Sequence, residues 1–454
     1  HPMTRWNLAW LVGIPLVVLL GLTLTYSAPV PSRNQNYELV KLVVDVLDEV
    51  DQNYVRELDP AARRKLVEDM VNGGLERLDP YSGFMSDREY KQFERKNEGS
   101  FGGIGIQVGL DRTSGAMVVT TPLVGTPAYE AGILAGDQIV KINGKALDNL
   151  RTNDAIELIQ GEVGTPVTLT VVHEGQKKAV DVSVTRGIIK IETVLGDHRK
   201  AGNPAEWDFV IDKDRKIAYV RLLEFEKPTA ETLEHVLRQL EGDGVRGLVL
   251  DLRGNPGGLL TSAVAVCDQL LTQGRIVSTK GRTTPERDYD AKPEGTLFEP
   301  AVQHPVAVLI DKYSASASEI VAAALQDHNR AVIVGERSFG KGSVQNVYPM
   351  EDHTALKLTT QRYFRPSGKN IHRFPDSKES DEWGVTPNPG FAVKLTDEER
   401  YQFLIARRKR DVVHGKPGAA PPEDKKDGKT PPFVDKVLDR ALEYLRGELD
   451  KSKA

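Results

Sequence analysis

Gly247-Leu248-Val249-Leu250-Asp251-Leu252-Arg253-Gly254-Asn255-Pro256-Gly257-Gly258 starts as a short apolar run and breaks into a Gly/Pro loop. That is the pattern of a buried strand handing over, through a turn, to a helix. Working outward, the alternation recurs. Upstream lie a strand over Ile217 to Leu222 and a helix over Ala230 to Leu240; downstream come a strand over Val306 to Ile310, a helix opening near Ser316 and a strand over Ala331 to Val334. Strands alternating with helices predict an α/β layer architecture. A strand near Ala355 to Thr360 is expected to add an antiparallel edge.

The loops of this region carry the chemistry. Ser316 lies in Tyr313-Ser314-Ala315-Ser316-Ala317-Ser318-Glu319, and Lys341 and Gln345 lie in Gly340-Lys341-Gly342-Ser343-Val344-Gln345. Small neighbours let a peptide carbonyl reach the Ser316 hydroxyl, and a glycine-flanked lysine on the next loop can approach the same point as its base. Lysine does this only when neutral, so its reference pKa of about 10.4 must be lowered by burial or by nearby positive charge. Gln345, one loop-turn away, can orient the amine. The Ala317 amide opens a helix and is a natural oxyanion donor; Gly257 or Gly258 can supply the second.

Composition bounds the alternatives. The 454 residues exceed one hydrophobic core, and 39% hydrophobic with 28% charged residues describes a globular body of several domains. A net charge of -5 disfavours nucleic acid as a partner. Cys267 is the single cysteine, so neither an internal disulfide nor a cysteine-based metal cluster can form, and its apolar surroundings read as a buried structural thiol. No His-Glu-x-x-His is present, and neither a metal nor an organic cofactor is required. Gly335 to Lys341 mimics a phosphate-binding loop, but Gly342 stands where Ser or Thr would hold Mg²⁺. His328 and His353 lie in no orienting motif, and the basic run Arg407 to Arg410 reads as a solvated helix face.

At the N-terminal end, the apolar run Leu8 to Leu24 follows Arg5 and predicts a signal sequence or a membrane anchor. Tyr26 and Pro29 around Ala28 make a poor cleavage site, which favours an uncleaved anchor and an exported body in the cell envelope or periplasm. From Asn36 to Arg77, Leu39, Leu42, Val43, Val46, Leu47 and Val50 recur at helical spacing. At the other end, a linker over Gly415 to Pro432 precedes a helix with the stripe Phe433, Val434, Val437, Leu438, Ala441, Leu442 and Leu445. Both helical ends need a surface, either this subunit or a second one, and a homo-oligomer through them is expected.

Between these parts, Gly102-Gly103-Ile104-Gly105-Ile106-Gln107-Val108 is followed by Ala135-Gly136-Asp137-Gln138-Ile139-Val140-Lys141-Ile142-Asn143-Gly144, a helix near Asn153 to Ile159, and alternating strands at Val167 to Val172 and Val180 to Val184. This order closely resembles a PDZ domain. The resemblance implies capture of an extended peptide at a sheet edge, with the ligand's terminal carboxylate at Gly103, Ile104, Gly105 and Ile106.

The Leu250 to Gly258, Ser314 to Ile320 and Gly340 to Gln345 segments, with Tyr363-Phe364-Arg365-Pro366-Ser367-Gly368, resemble the C-terminal processing, or tail-specific, proteases. Lys341 follows Ser316 by 25 positions and Gln345 follows by four more, which matches that family's serine, lysine and glutamine and leaves Ser314 and Ser318 as neighbours to test. The resemblance implies an α/β multidomain protein whose protease core is similar to the Clp protease and crotonase fold, with a small β-rich PDZ domain and helical N- and C-terminal regions. The segments are then 1–34 (signal or anchor), 35–97 (helical), 98–188 (PDZ), 189–396 (protease core) and 397–454 (linker and helices). One departure stands out: Leu158-Ile159-Gln160-Gly161 has glutamine where relatives carry arginine, so coupling of the PDZ to activity is expected to be weaker or differently wired. The function implied is a serine endopeptidase acting on protein C-termini; the alternatives are a silent PDZ adaptor and a crotonase-like thioester enzyme.

Overall fold

A computed structural model describes residues 33–111, 114–147, 151–200, 202–298, 304–413 and 433–451. The segment Leu8 to Leu24 and the linker expected over Gly415 to Pro432 lie outside them. Among the described residues, no helix is long and apolar enough to cross a membrane. The chain divides into two units between Gly74 and Leu75.

The first unit holds α1 (Arg33–Asn53) and α2 (Pro60–Leu75). Helical spacing is realised in α1, but Leu39, Leu42, Val43 and Val46 remain exposed.

The second unit opens with β1 (Gly83–Met85) and α3 (Asp87–Glu98). Ser86 and Glu89 form a reciprocal capping box at the start of α3, and Gly99 ends it at φ 68°. A Cβ at Gly99 would lie 2.7 Å from Pro228 Cγ, so close packing and left-handed backbone both demand glycine there.

Next come β2 (Ser100–Gly103), β3 (Ile106–Leu110), β4 (Met117–Pro122), α4 (Pro127–Glu130), β5 (Gln138–Ile142), β6 (Lys145–Ala146), α5 (Thr152–Ile159), β7 (Pro166–Val172), β8 (Ala179–Thr185) and β9 (Gly187–Lys190). Strands β3 to β8 form one antiparallel sheet in the order β3-β4-β5-β7-β8, with β6 on β5. In β7, Val167, Leu169 and Val171 point into a core with Ile104, Ile133, Ile139, Ile142, Ala155 and Ile159. Alternation of buried and half-exposed positions is what one packed face requires.

The larger α/β body follows: β10 (Val194–Leu195), β11 (His198–Lys200), β12 (Asn203–Asp208), β13 (Val210–Asp212), β14 (Ile217–Leu222), α6 (Thr229–Gly242), β15 (Gly247–Asp251), α7 (Leu260–Asp268), β16 (Gly274–Gly281), β17 (Arg287–Ala291), β18 (Val306–Ile310), α8 (Ala317–Asp327), β19 (Ala331–Gly335), β20 (Ser343–Pro349), β21 (Ala355–Phe364), α9 (Asp397–Asp411) and α10 (Lys436–Lys451). Strands β14, β15, β18 and β19 are parallel, and every residue in them is buried. Both faces are covered, which explains their unbroken apolar runs. Leu248 and Leu250 face the cluster shared with Leu233, Leu237 and Val321 on α6 and α8. Tyr219, Val249 and Leu309 instead face Val437, Leu438, Ala441, Leu442 and Leu445 of α10. From Val437 onward the terminal apolar stripe is therefore buried on its own subunit, while Val434 stays exposed.

Two expectations need correction. The strand near Ala355 to Thr360 is no edge of the parallel sheet: β21 runs to Phe364 and lies inside a second, antiparallel sheet, paired with β1, β16 and β20. Its half-buried pattern reflects one covered face. The basic run is not simply a solvated face either. Arg407 is buried and donates to Asp251 Oδ2 at 2.5 Å, and Arg410 pairs with Asp197, while Arg408 and Lys409 are exposed. The Arg407 guanidinium, Arg253 and the Tyr219 hydroxyl converge on Asp251. Burial alone would raise that carboxyl, but these partners hold it well below the usual range. Arg253 also reaches Asp435, so this cluster clamps α9 and the approach to α10 onto the end of β15.

Candidate active site

A cavity of about 360 Å³ collects Ser316, Ala317, Lys341, Gln345, Gly257 and Gly258 along its walls. No histidine lines it. A larger cavity of about 1200 Å³ beyond the Lys341 loop contains neither Ser316 nor Lys341 among its lining residues. Chemistry, rather than volume, selects the smaller one.

Ser316 caps α8 at φ 56° and ψ -113°, a conformation that side-chain-bearing residues rarely adopt. Its neighbours are spent on structure. Ser314 Oγ donates to Leu252 O at 2.8 Å and Ser318 Oγ to Asn255 O at 3.0 Å, both fully buried. These bonds fasten the turn before α8 to the Gly254 loop, and Asp311 adds to them by accepting the Gly254 and Tyr313 amides at 3.0 Å each. Only the middle serine of the three lines the cavity.

Glu319 was not singled out in the sequence, yet it organises both loops. Its buried carboxylate accepts the Ser316 amide at 2.8 Å, the Ser338 hydroxyl at 2.5 Å, the Gly340 amide at 2.7 Å and the Lys341 amide at 2.8 Å. Burial pushes this carboxyl up while the four donors pull it down. Tyr363, which opens the Tyr363 to Gly368 segment, is a second member to which the sequence assigned no role. Its hydroxyl donates to the Lys341 carbonyl, and Tyr363 lines the same cavity as Ser316. The Lys341 ammonium lies 4.7 Å from the centre of the Tyr81 ring.

Burial is the main cause that lowers the Lys341 pKa; the charge of Lys357 lowers it further, and Glu319 and Asp79 oppose both. Gln345 Nε2 donates to Ser343 Oγ at 3.0 Å and Thr359 Oγ1 at 3.1 Å, and Thr359 Oγ1 reaches Asp79 Oδ1 at 3.0 Å. Gln345 therefore shares the cavity with Lys341 and is held by a chain of hydroxyls ending on Asp79.

Gly257 comes so near the serine that a Cβ there would lie 2.8 Å from Ser316 Cβ. Its amide is committed, donating to Asn255 Oδ1 at 2.8 Å. Of the two glycines, Gly258 keeps its amide outside the described hydrogen bonds, as does Ala317 at the first position of α8. His328 bonds the Arg275 carbonyl at 2.6 Å and His353 sits in a turn, so neither approaches Ser316. Cys267 is buried, and burial pushes its thiol up, as an inert structural thiol requires.

In the smaller domain, β3 is the terminal strand of its sheet. Gly103 pairs with Gly187, Ile104 is buried, and the Gly105 carbonyl accepts the Leu123 amide at 2.9 Å and Thr126 Oγ1 at 3.1 Å. Gly105 has φ 82°, and a Cβ there would lie 2.3 Å from Thr126. Ile106 then starts β3. The turn is rigidly held at the mouth of an open sheet edge.

Comparison with known proteins supplies the family. The model of peptidase family S41 matches residues 216–388, and a PDZ-domain model matches residues 118–172. The chain is 35% identical over 463 residues to the carboxy-terminal-processing protease of Bartonella bacilliformis, covering 98% of this chain and 97% of that one. This chain belongs to peptidase family S41. It is also 33% identical over 360 residues to the carboxy-terminal processing protease CtpB of Bacillus subtilis, covering 78% and 71% of the two chains. Among solved structures, the photosystem II D1 C-terminal processing protease is 28% identical, with 77% of this chain and 86% of that chain covered and a TM-score of 0.41. The S41 member described here is a serine-type peptidase with an α/β core and a PDZ domain, and its substrates are peptides or proteins. The adaptor and thioester readings fall away.

Proposed function

We propose that this S41 peptidase cleaves substrates through a Ser316–Lys341 dyad after its PDZ domain has captured a free C-terminus. Ser316 Oγ attacks the scissile carbonyl, forming a C–O bond as neutral Lys341 takes the hydroxyl proton. Collapse breaks the C–N bond, and Lys341 returns the proton to the departing amine. Water then cleaves the ester, with Lys341 again accepting and returning a proton. Gly258 and Ala317 donate to the oxyanion. Gln345 steadies the amine, and the peptide tail adds to the β3 edge with its carboxylate at Gly103 to Ile106.

The observation that carries this reading is the shared anchor: one buried carboxylate, Glu319, holds both the Ser316 and Lys341 amides at a common cavity. In this structure the ammonium rests on Tyr81, so the base engages by turning from that ring towards Ser316. Ser316→Ala and Lys341→Ala should each lower turnover by at least about 10³-fold, read by mass spectrometry on a peptide with a free C-terminus. Undiminished activity in Lys341→Ala removes the dyad.

The apolar run after Arg5 supports export and anchoring in the cell envelope. Fractionation of the full chain with and without residues 1–34 tests it. Since α10 is covered by its own sheet, α1 is the terminal helix whose exposed apolar side chains support a homo-oligomer, which light scattering of an α1 variant tests.

A further inference from the structure

The cavity that holds Ser316 and Lys341 is also lined by the loop between β14 and α6, which contains Glu224 and Glu226. Glu226 is 4% exposed, and its Oε2 is buried without a hydrogen-bond partner. The other acidic groups close by are matched. Glu224 pairs with Lys96 at 2.9 Å, and Glu98 pairs with Lys227 at 3.0 Å. Lys96 is thus committed, and Glu226 is left as an acid without a counterion. Lys341 and Lys357 line the same cavity. Its lining therefore carries cations at the Lys341 loop and on β21, and acids on the loop between β14 and α6.

The acidic wall adjoins the reacting bond. Phe225, the preceding residue, donates its amide to Gly257 O at 2.9 Å and accepts the Leu259 amide at 2.6 Å. A Cβ on Gly258 would lie 2.2 Å from Phe225 O, and one on Gly257 would lie 2.8 Å from Ser316 Cβ. Glu226 is consequently one residue away from the loop that faces the nucleophile. Its backbone is fixed as well, with the amide donating to Thr229 Oγ1 at 2.9 Å.

A buried polar atom without a partner is unfavourable unless something arrives to satisfy it. The buried carboxylates of Glu319 and Asp251, by contrast, are each met by several donors. We propose that Glu226 forms a substrate subsite beside the cleaved bond that takes a cationic side chain, arginine or lysine, on its carboxylate. The incoming group supplies the missing donors as charge-assisted hydrogen bonds. Selection rests on this one unpaired oxygen, so it is strongest for a planar guanidinium, which can present two donors at once.

Proton binding controls the subsite. Burial, then the neighbouring Glu224 charge, push the Glu226 carboxyl up to about 7, with Lys96 opposing. Preference for a cation is present above that value, where the carboxylate forms, and is lost as pH falls through it.

The subsite deepens the dyad reading and rests on it for the position of the cleaved bond. The test uses the full chain and peptide pairs identical except for arginine or its neutral isostere citrulline, placed in turn at each position around that bond. At pH 8 one position should show an arginine-over-citrulline ratio in kcat/KM of about tenfold. The ratio should fall towards one by about pH 5.5, and Glu226→Gln should flatten it at every pH. A ratio near one at all positions in the unaltered protein at pH 8, or a ratio that persists in Glu226→Gln, overturns the subsite. The same ratio measured as affinity in Ser316→Ala, by fluorescence anisotropy, judges the subsite without turnover. Persistent cleavage by Ser316→Ala would instead sink the dyad and leave the arginine ratio to decide on Glu226.

Discussion

Two buried glutamates stand close to the proposed dyad, and they are opposites. Glu319, beneath the loops that carry Ser316 and Lys341, receives four donors, three of them backbone amides. Glu226, on the loop between β14 and α6, receives none at its buried Oε2. The first carboxylate is part of the scaffold, because removing it would orphan three amides. The second adds nothing to the fold in the absence of a ligand. Saturation of hydrogen bonds thus separates residues that build a site from residues that wait for something to enter it.

Breaking this contrast starts at the scaffold. Glu319→Ala should destabilise the protein by about 3 kcal/mol or more, since several buried amides lose their acceptor together. It should also lower turnover more than about 100-fold by releasing both loops. Urea unfolding and initial rates on one preparation check this; stability and rate close to those of the unaltered protein would remove Glu319 from its organising place.

Glu226→Gln should act in the other direction. A carboxyl raised in the folded state holds its proton there more tightly than in the unfolded chain. Its contribution to stability is therefore fully present below the unfolded value of about 4.3 and is lost as pH rises through about 7. Glutamine has no such dependence, so the variant should gain melting temperature relative to the parent between these limits and keep that advantage above them. Calorimetry from pH 4 to pH 8 reads the difference, and a gap that stays constant with pH contradicts an isolated acid.

Smaller effects sharpen the comparison at the dyad. Tyr363→Phe removes the hydroxyl that holds the Lys341 carbonyl, which should cost about 1 kcal/mol in stability and lower kcat about tenfold. Lys357→Gln removes a cation that lowers the Lys341 pKa. The acid limb of kcat/KM should move to higher pH, because Lys341 then stays protonated longer; a limb moved to lower pH would refute that electrostatic role. Least is expected from Arg88→Ala, which cuts the surface pairs from α3 to Asp154 and Glu157 on α5. Solvent screens exposed pairs of this kind, so denaturant unfolding should show little or no shift of the midpoint.

Much of the fold was legible because β14, β15, β18 and β19 carry unbroken apolar runs and are punctuated by glycine and proline. The strand β21 was misplaced because a half-covered strand has no sequence mark for the sheet it joins. Ser316, Lys341, Gln345 and the glycines stood out through their small neighbours and short loops. Glu319 and Tyr363 lay inside the motif segments without a role, because what each bonds to is set by distant loops, and Tyr81 and Glu226 had no functional mark in the sequence at all.

By itself, the chain determined the order of layers, the inserted PDZ domain and the two loops able to supply a nucleophile and a base. Those are properties of local pattern, encoded by residue spacing within a few turns of chain. Only the tertiary structure decided which serine faces the cavity, that the Gly257 amide is already used by Asn255, and that Glu319 is satisfied while Glu226 is not. Burial and hydrogen-bond completion are sums over neighbours distant in sequence, so they come into being only when the chain is packed.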